Sequence, residues 1–276
     1  MADKFEVVTQ CKRLAGQVAI VTGGAKGLGR VISRRLAEEG ARVMIADIDA
    51  AGAERAVQTL NAEQEGHFAC FVGDLSAVDV AENLVSATLA EFGRVDILVN
   101  NAAALIRMKL VDFSEELLQL AINANMWTTL RCCKAVVPVM QQAGYGRIVN
   151  IGGEAWRLGT PYHTVLGGIG KGSMMGLTAT LAGETVGDGI TVNCVSPGGI
   201  DSQADGDPDA PRPQPNKDWT PADVMAQLVD LRAAPTSLGR RAHPTEIAAA
   251  VAFFAAPESS FTTGQHLGVS GGIAML

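Results

Sequence analysis

Thr22-Gly23-Gly24-Ala25-Lys26-Gly27-Leu28-Gly29 is the stretch on which the reading of this chain turns. Before it lies Gln17-Val18-Ala19-Ile20-Val21, a short apolar run suited to a buried strand; after it Val31, Ile32, Leu36 and Ala37 recur at helical spacing. The order is strand, glycine turn, helix. Glycine is needed in such a turn because the chain must turn tightly and let a pyrophosphate approach backbone N–H groups at a helix N-terminus, where negative charge is favoured. A second apolar run, Ala41-Arg42-Val43-Met44-Ile45-Ala46, ends in Asp47, 24 positions after Gly23. An acidic side chain there can accept hydrogen bonds from a ribose hydroxyl and repel a 2′-phosphate, so NAD(H) is expected rather than NADP(H). Lys26 and Arg30 argue the other way, because basic groups near the turn can hold a phosphate, but Asp47 is followed by Ile48 and not by an arginine. A glycine-rich turn in an ordinary α/β protein is the structural alternative.

Outward from this unit, strand-like runs near 17–22, 42–46, 67–72, 95–99, 147–151, 190–195 and 266–269 alternate with amphipathic helical patterns. That alternation implies an α/β fold of the Rossmann type, a doubly wound parallel sheet of about seven strands with helices on both faces, in a single domain spanning residues 1–276. Ligands of such sheets bind outside the carboxyl ends of the strands. Residues 1–15 read as an N-terminal extension. The compositional break from Asp201 to Pro215, rich in Asp, Pro and Gly, is followed by a helical pattern from Pro221 to Leu231, and 201–235 is expected to form either a lid over substrate, the use favoured by resemblance, or a disordered segment.

Several segments, in order, resemble the short-chain dehydrogenase/reductase family over nearly the whole chain. Thr22-Gly23-x-x-x-Gly27-x-Gly29 resembles its cofactor turn, Asp74-Leu75 its adenine contact, and Asn100-Asn101-Ala102-Ala103 its NNAG segment with the last glycine replaced. Asn125 matches the family's helix asparagine, Pro197-Gly198 its loop after the sixth strand, and Gly264-Gln265 with Gly271-Gly272 its C-terminal signature. Ser202 falls where that family usually has a threonine touching the nicotinamide carboxamide. The resemblance thus implies a cofactor site built from Gly23, Lys26, Gly27, Leu28, Gly29, Asp47, Ile48, Asp74, Leu75, Asn101, Ala102, Ala103, Lys171, Pro197, Gly198, Ile200 and Ser202.

The same resemblance exposes a departure. In the family a tyrosine four residues before the lysine exchanges the proton with the carbonyl oxygen, the lysine lowers the tyrosine's pKa and holds the ribose, a serine orients the substrate, and the asparagine supports a water relay. Spacing of four puts tyrosine and lysine on one helix face. Here Lys171 is present, but Gly167 stands four residues before it and Gly170 just before it; the strand expected to end in Ile-Ser-Ser reads Ile151-Gly152-Gly153. The interval from Gly153 to Gly167 is one residue longer than usual. A positioned acid–base group contributes about 10²–10⁴-fold in rate, so ordinary ketone reduction is expected to be impaired unless another group substitutes. Beside Asn125 and Lys171, candidates in the intervening loop are Glu154, Arg157, Tyr162, His163 and Thr164; His163 is attractive because an unperturbed imidazole titrates near neutrality, and a surface loop without a role is the competing use. Gly167, Gly168, Gly170 and Gly172 are read as widening the pocket, or else as loosening the start of a helix.

Composition restricts the remaining classes. The chain has 276 residues, 47% hydrophobic and 18% charged, and a net charge of −7, which disfavours a nucleic-acid surface or an anionic membrane partner. Five cysteines without metal-ligand spacing suit reduced thiols, and no metal site is expected. Neither a signal peptide nor a transmembrane helix is read, so a cytoplasmic location is expected. Three functions remain. The first is an NAD-dependent oxidoreductase acting on a small-molecule substrate with its proton donor relocated or unnecessary; the second is a non-redox lyase or isomerase retaining the nucleotide; the third is a silent subunit pairing with an active paralogue. A homo-oligomer, dimer or tetramer, is implied by resemblance, through the helical segments Glu115 to Met140 and Lys171 to Val186; burial in the chain's own core is the competing use of their apolar stripes.

Overall fold

The computed structural model describes residues 12–64, 66–106, 110–158, 165–201, 204 and 238–275. Seven strands form one sheet: β1 (Val18–Thr22), β2 (Arg42–Asp47), β3 (Phe68–Val72), β4 (Ile97–Asn100), β5 (Gly146–Ile151), β6 (Ile190–Pro197) and β7 (His266–Val269). Their order is β3-β2-β1-β4-β5-β6-β7, and every neighbouring pair is parallel. The expected doubly wound architecture is therefore observed. Strand order reverses between β1 and β4, which opens the crevice where such sheets bind ligands.

Helices α1 (Gly27–Glu38), α2 (Ala50–Glu63), α3 (Val80–Phe92), α4 (Glu115–Ile122), α5 (Thr128–Ala143), the short α6 (Ala155–Leu158), α7 (Val165–Thr185) and α8 (Pro244–Ala255) complete the described fold. The central strands are fully buried and read as continuous apolar runs, as a parallel sheet covered on both faces requires. Alternation along each strand splits the core in two. Ala19, Val21, Val43, Ile45, Val99 and Val149 meet α1, α2 and α8, while Val18, Ile20, Leu98, Ile148 and Val192 meet α3, α5 and α7. Of the expected N-terminal extension, residues 12–15 are described, and Leu14 is fully buried in the first of these cores.

The helical segment expected from Glu115 to Met140 is one helix with an internal irregularity. Between α4 and α5, Asn123–Trp127 adopt π-helical geometry, and the Thr128 hydroxyl donates to the carbonyl of Asn123 five residues back. Such a turn inserts an extra residue into the spiral and turns a chosen side chain inward; Asn125 is the buried residue of that turn. Helix α7 begins at Val165, six residues before Lys171, so the four glycines lie in its first two turns. The expected lid, apart from Asp201 and Ala204, and the helix expected from Pro221 to Leu231 lie outside the described residues, as do Tyr162, His163, Thr164 and Ser202. No helix among the described residues is long and apolar enough to cross a membrane.

Candidate active site

The carboxyl ends of β1, β2 and β4 meet at the glycine turn. Gly23 has φ +62°, and an added Cβ would lie 2.9 Å from Cα of Ala102; at Gly29 it would run into the carbonyl of Gly23. Both glycines therefore answer to close backbone approach. The turn is fixed from β4: the Asn101 amide donates to the carbonyls of Thr22 (3.0 Å) and Gly23 (3.1 Å), and the Thr22 hydroxyl accepts the backbone N–H groups of Asn101 and Ala102, each at 3.0 Å. Helix α1 starts with no side-chain cap from Lys26 and no acidic residue in its first turn. An N-terminus of this kind, facing a cradle that side chains would fill, suits a pyrophosphate.

Asp47 ends β2 beside this turn, 9% exposed. Its carboxylate accepts the N–H of Ala25 at one oxygen and that of Asp49 at the other, each 3.1 Å away. Each oxygen keeps a second lone pair, so the group can hold the turn and still accept a ribose hydroxyl. Lys26 is drawn to Asp49 at 3.6 Å. Ile48 is 70% exposed, an apolar surface at the strand end. Asp74 accepts both the backbone N–H and the hydroxyl of Ser76, while Leu75 is buried. Gly198 packs against Ser270, and Ile200 bridges to Ala242.

On the far side of the crevice, β5 delivers Ile151, Gly152 and Gly153, and α7 delivers Lys171. The Lys171 ammonium donates to the carbonyl of Ile151 at 2.9 Å, and burial pushes its pKa down to about 8. A Cβ on Gly153 would touch only Lys171, with Cγ at 3.5 Å, among the described residues. Asn125 donates to the carbonyls of Ala104 and Ala121, both at 2.8 Å, and its buried carbonyl oxygen has no hydrogen-bond partner among the described residues. A buried polar chain ties the strand ends beneath: the Asn100 amide donates to Asn150, and the Asn150 amide donates to Thr178 on α7.

Glu154, directly after Gly153, is 2% exposed and turns toward β7. One oxygen takes a hydrogen bond from Arg157 at 3.3 Å; the other lies 3.7 Å from Nε2 of His266, and neither of those two atoms has a hydrogen-bond partner among the described residues. Burial pushes the Glu154 carboxyl up against the opposing pull of Arg157, and burial pushes the His266 imidazole down. His266 was not singled out from sequence. Its signal was register: it pairs with Cys194 on β6, and both project to the face that α7 covers.

The glycines of α7 do not simply widen a pocket. A Cβ on Gly170 would lie 2.6 Å from Cβ of Asn125, so this glycine lets the π-turn approach the helix. Gly172 and, more loosely, Gly168 face Trp156 of α6, at 3.5 Å from its Cβ and 4.0 Å from its Cα. Of these three, only Gly170 is needed for close approach; a methyl group at Gly168 or Gly172 would meet Trp156 at ordinary contact distance.

Among the described residues no cluster of three His, Cys, Asp or Glu side chains is placed to hold a metal ion. Cys70, Cys132, Cys133 and Cys194 are free thiols.

The family model described as enoyl-(acyl carrier protein) reductase matches residues 23–274. The chain is 36% identical to 2,3-dihydroxy-2,3-dihydro-p-cumate dehydrogenase of Pseudomonas putida over 95% of its length and 96% of the relative's. It is 37% identical to the BbsD subunit of (2S)-[(R)-hydroxy(phenyl)methyl]succinyl-CoA dehydrogenase of Thauera aromatica, over 94% and 97%. It is 35% identical to 1,6-dihydroxycyclohexa-2,4-diene-1-carboxylate dehydrogenase of Acinetobacter baylyi, over 95% and 97%. With its sheet order, its glycine turn and this likeness along almost the whole sequence, the chain belongs to the short-chain dehydrogenase/reductase family of oxidoreductases.

Proposed function

We propose that this protein is an NAD(H)-dependent oxidoreductase that interconverts a secondary alcohol and a ketone on a small organic substrate, with an active site that lacks the tyrosine and serine hydroxyls. The observation that carries the reading is Asp47. A carboxylate held at the end of β2 by the N–H groups of Ala25 and Asp49 leaves lone pairs for a ribose diol and repels a 2′-phosphate. The pyrophosphate would lie against the turn of Gly23, Gly27 and Gly29 and the start of α1, the adenine beside Ile48 and Leu75, and the nicotinamide end toward Lys171. When bound, the nucleotide supplies the hydride acceptor or donor; the protein holds and orients the substrate and moves the proton.

Two of the relatives described above are dehydrogenases whose names specify dihydroxylated cyclohexadiene rings. A substrate of that class would fit a site without hydroxyl grips, because its oxidation leads to an aromatic ring and needs less help from the protein. The test is absorbance at 340 nm when the purified protein meets NAD⁺ and a panel of cyclohexadiene cis-diols and other small secondary alcohols. Growth of the NADH band, weaker with NADP⁺, is expected. Chemical conversion of a panel member without any change at 340 nm would favour the non-redox alternative.

A further inference from the structure

The family supplies its proton through a tyrosine, and Gly167 stands in its place, so an oxidoreductase built on this chain needs another acid–base group. Lys171 stands apart from the other described candidates. It sits at the carboxyl end of β5, in contact with the position where Gly153 leaves no side chain. It is half-buried, and its hydrogen-bond partner among the described residues is the neutral carbonyl of Ile151, so further hydrogen-bonding capacity is left over. No ion pair of Lys171 with a carboxylate is found among the described residues: Glu154, the acid directly after Gly153, is taken up by Arg157 and faces His266. The titratable group that faces it from β6 is Cys194, whose thiol burial holds up at about 11 and therefore neutral. The π-turn presents the uncharged Asn125.

We propose that the amine of Lys171 is itself the acid–base group of this site, exchanging a proton with the substrate oxygen in the space beside Gly153. This rests on the oxidoreductase reading above. In the oxidative direction the neutral amine takes the O–H proton of the alcohol, the C–H bond breaks with its electron pair passing to the oxidised nicotinamide, and the C=O bond forms. The resulting ammonium returns its proton to solvent. In the reductive direction the ammonium donates. An ammonium held near pH 8 is suited to both roles, since a catalytic pKa near the working pH maximises the useful protonation state.

The test begins on the apoprotein. Competitive acylation by limiting acetic anhydride, read by peptide mass spectrometry across pH 6–11, should show half-maximal labelling of Lys171 roughly two pH units below exposed lysines. With nucleotide and an alcohol substrate, kcat/KM for oxidation should rise about tenfold per pH unit toward a plateau above pH 8. Lys171→Arg keeps the positive charge but cannot release the proton, and should lose at least about 10² in kcat. Small primary amines should restore turnover to Lys171→Ala, at rates that follow the amine's pKa. Ordinary labelling above pH 10, or Lys171→Arg retaining more than a tenth of parental turnover, overturns the proposal. A shift of the pH limb to Tyr162→Phe or His163→Gln also overturns it. If neither NADH nor NADPH binds, the oxidoreductase reading itself fails; nucleotide binding and turnover with an unperturbed Lys171 removes only this inference.

Discussion

At the scale of single residues, two glycines expected by resemblance at serine positions of the family differ in their surroundings. Gly153→Ser places its Cβ in ordinary contact with Lys171, so the hydroxyl is accommodated, with a stability change within about 0.5 kcal/mol. Gly170→Ser drives its Cβ into Asn125 and should cost about 1–3 kcal/mol, read as a lowered urea midpoint at unchanged slope. Equal midpoints for the two variants would contradict the close packing of the π-turn on α7. Arg157→Ala leaves Glu154 buried without its partner, and should cost about 1–3 kcal/mol at pH 8. The sign with pH is fixed by direction: the folded-state carboxyl already lies above its unfolded value, and losing Arg157 raises it further. The folded variant therefore binds the extra proton, and the deficit should shrink as pH falls from 8 toward 5. A deficit that grows on acidification would rule out a buried, uncompensated Glu154. None of this was legible in the sequence beyond the identities: the spacing located Gly153, Gly167, Gly170 and Lys171, but which glycine faces an asparagine and which a lysine stem depends on how the π-turn, the end of β5 and α7 pack together.

At the scale of elements, the seven strands were readable because a sheet buried on both faces leaves long apolar runs ending in Gly, Asp or Asn. Observed bounds differ from the sequence reading by a residue or two, most at β4, where Val95 and Asp96 precede the ladder while the Asp96 carboxylate accepts the N–H of Val18. The π-turn was not readable, since its signal is the backbone N–H of Thr128 donating to the carbonyl of Asn123 five residues back, inside a pattern that looks helical throughout. Nor was the role of α6, whose four residues carry Trp156 onto the glycine face of α7. That contact yields a third prediction. At Gly172 a methyl group fits at 3.5 Å from Trp156, so Gly172→Ala should stabilise the protein by about 0.5–1 kcal/mol through helix propensity alone. Gly172→Leu cannot fit without moving Trp156, and should change its fluorescence and lower the thermal midpoint. If alanine destabilises as leucine does, the helices are closer than described.

At the scale of the whole molecule, part of the exposed apolar surface lies on the helices expected to meet a second copy. Leu120, Trp127 and Leu130 on the α4–α5 helix are each 40% exposed or more, as are Val165 and Ile169 at the start of α7, ahead of the expected segment from Lys171, while Cys132, Cys133, Val136 and Met140 of α5 face inward. Burial in the chain's own core, the competing use weighed from sequence, is observed for these inward residues. Association through this face is proposed: light scattering should give a mass of two or four times 28.7 kDa, and Leu130→Glu should lower it. A monomeric parent would contradict it.

Nucleotide binding is the property on which the proposed activity depends. Calorimetric titration with NADH and with NADPH, on the parent and on Asp47→Asn, tests it most directly, because the amide keeps one acceptor for the turn while removing the charge that selects against a 2′-phosphate. The prediction is micromolar NADH binding at least tenfold tighter than NADPH in the parent, with the preference narrowed or reversed in Asp47→Asn. Absence of binding to either nucleotide, or a parent that prefers NADPH, would contradict it.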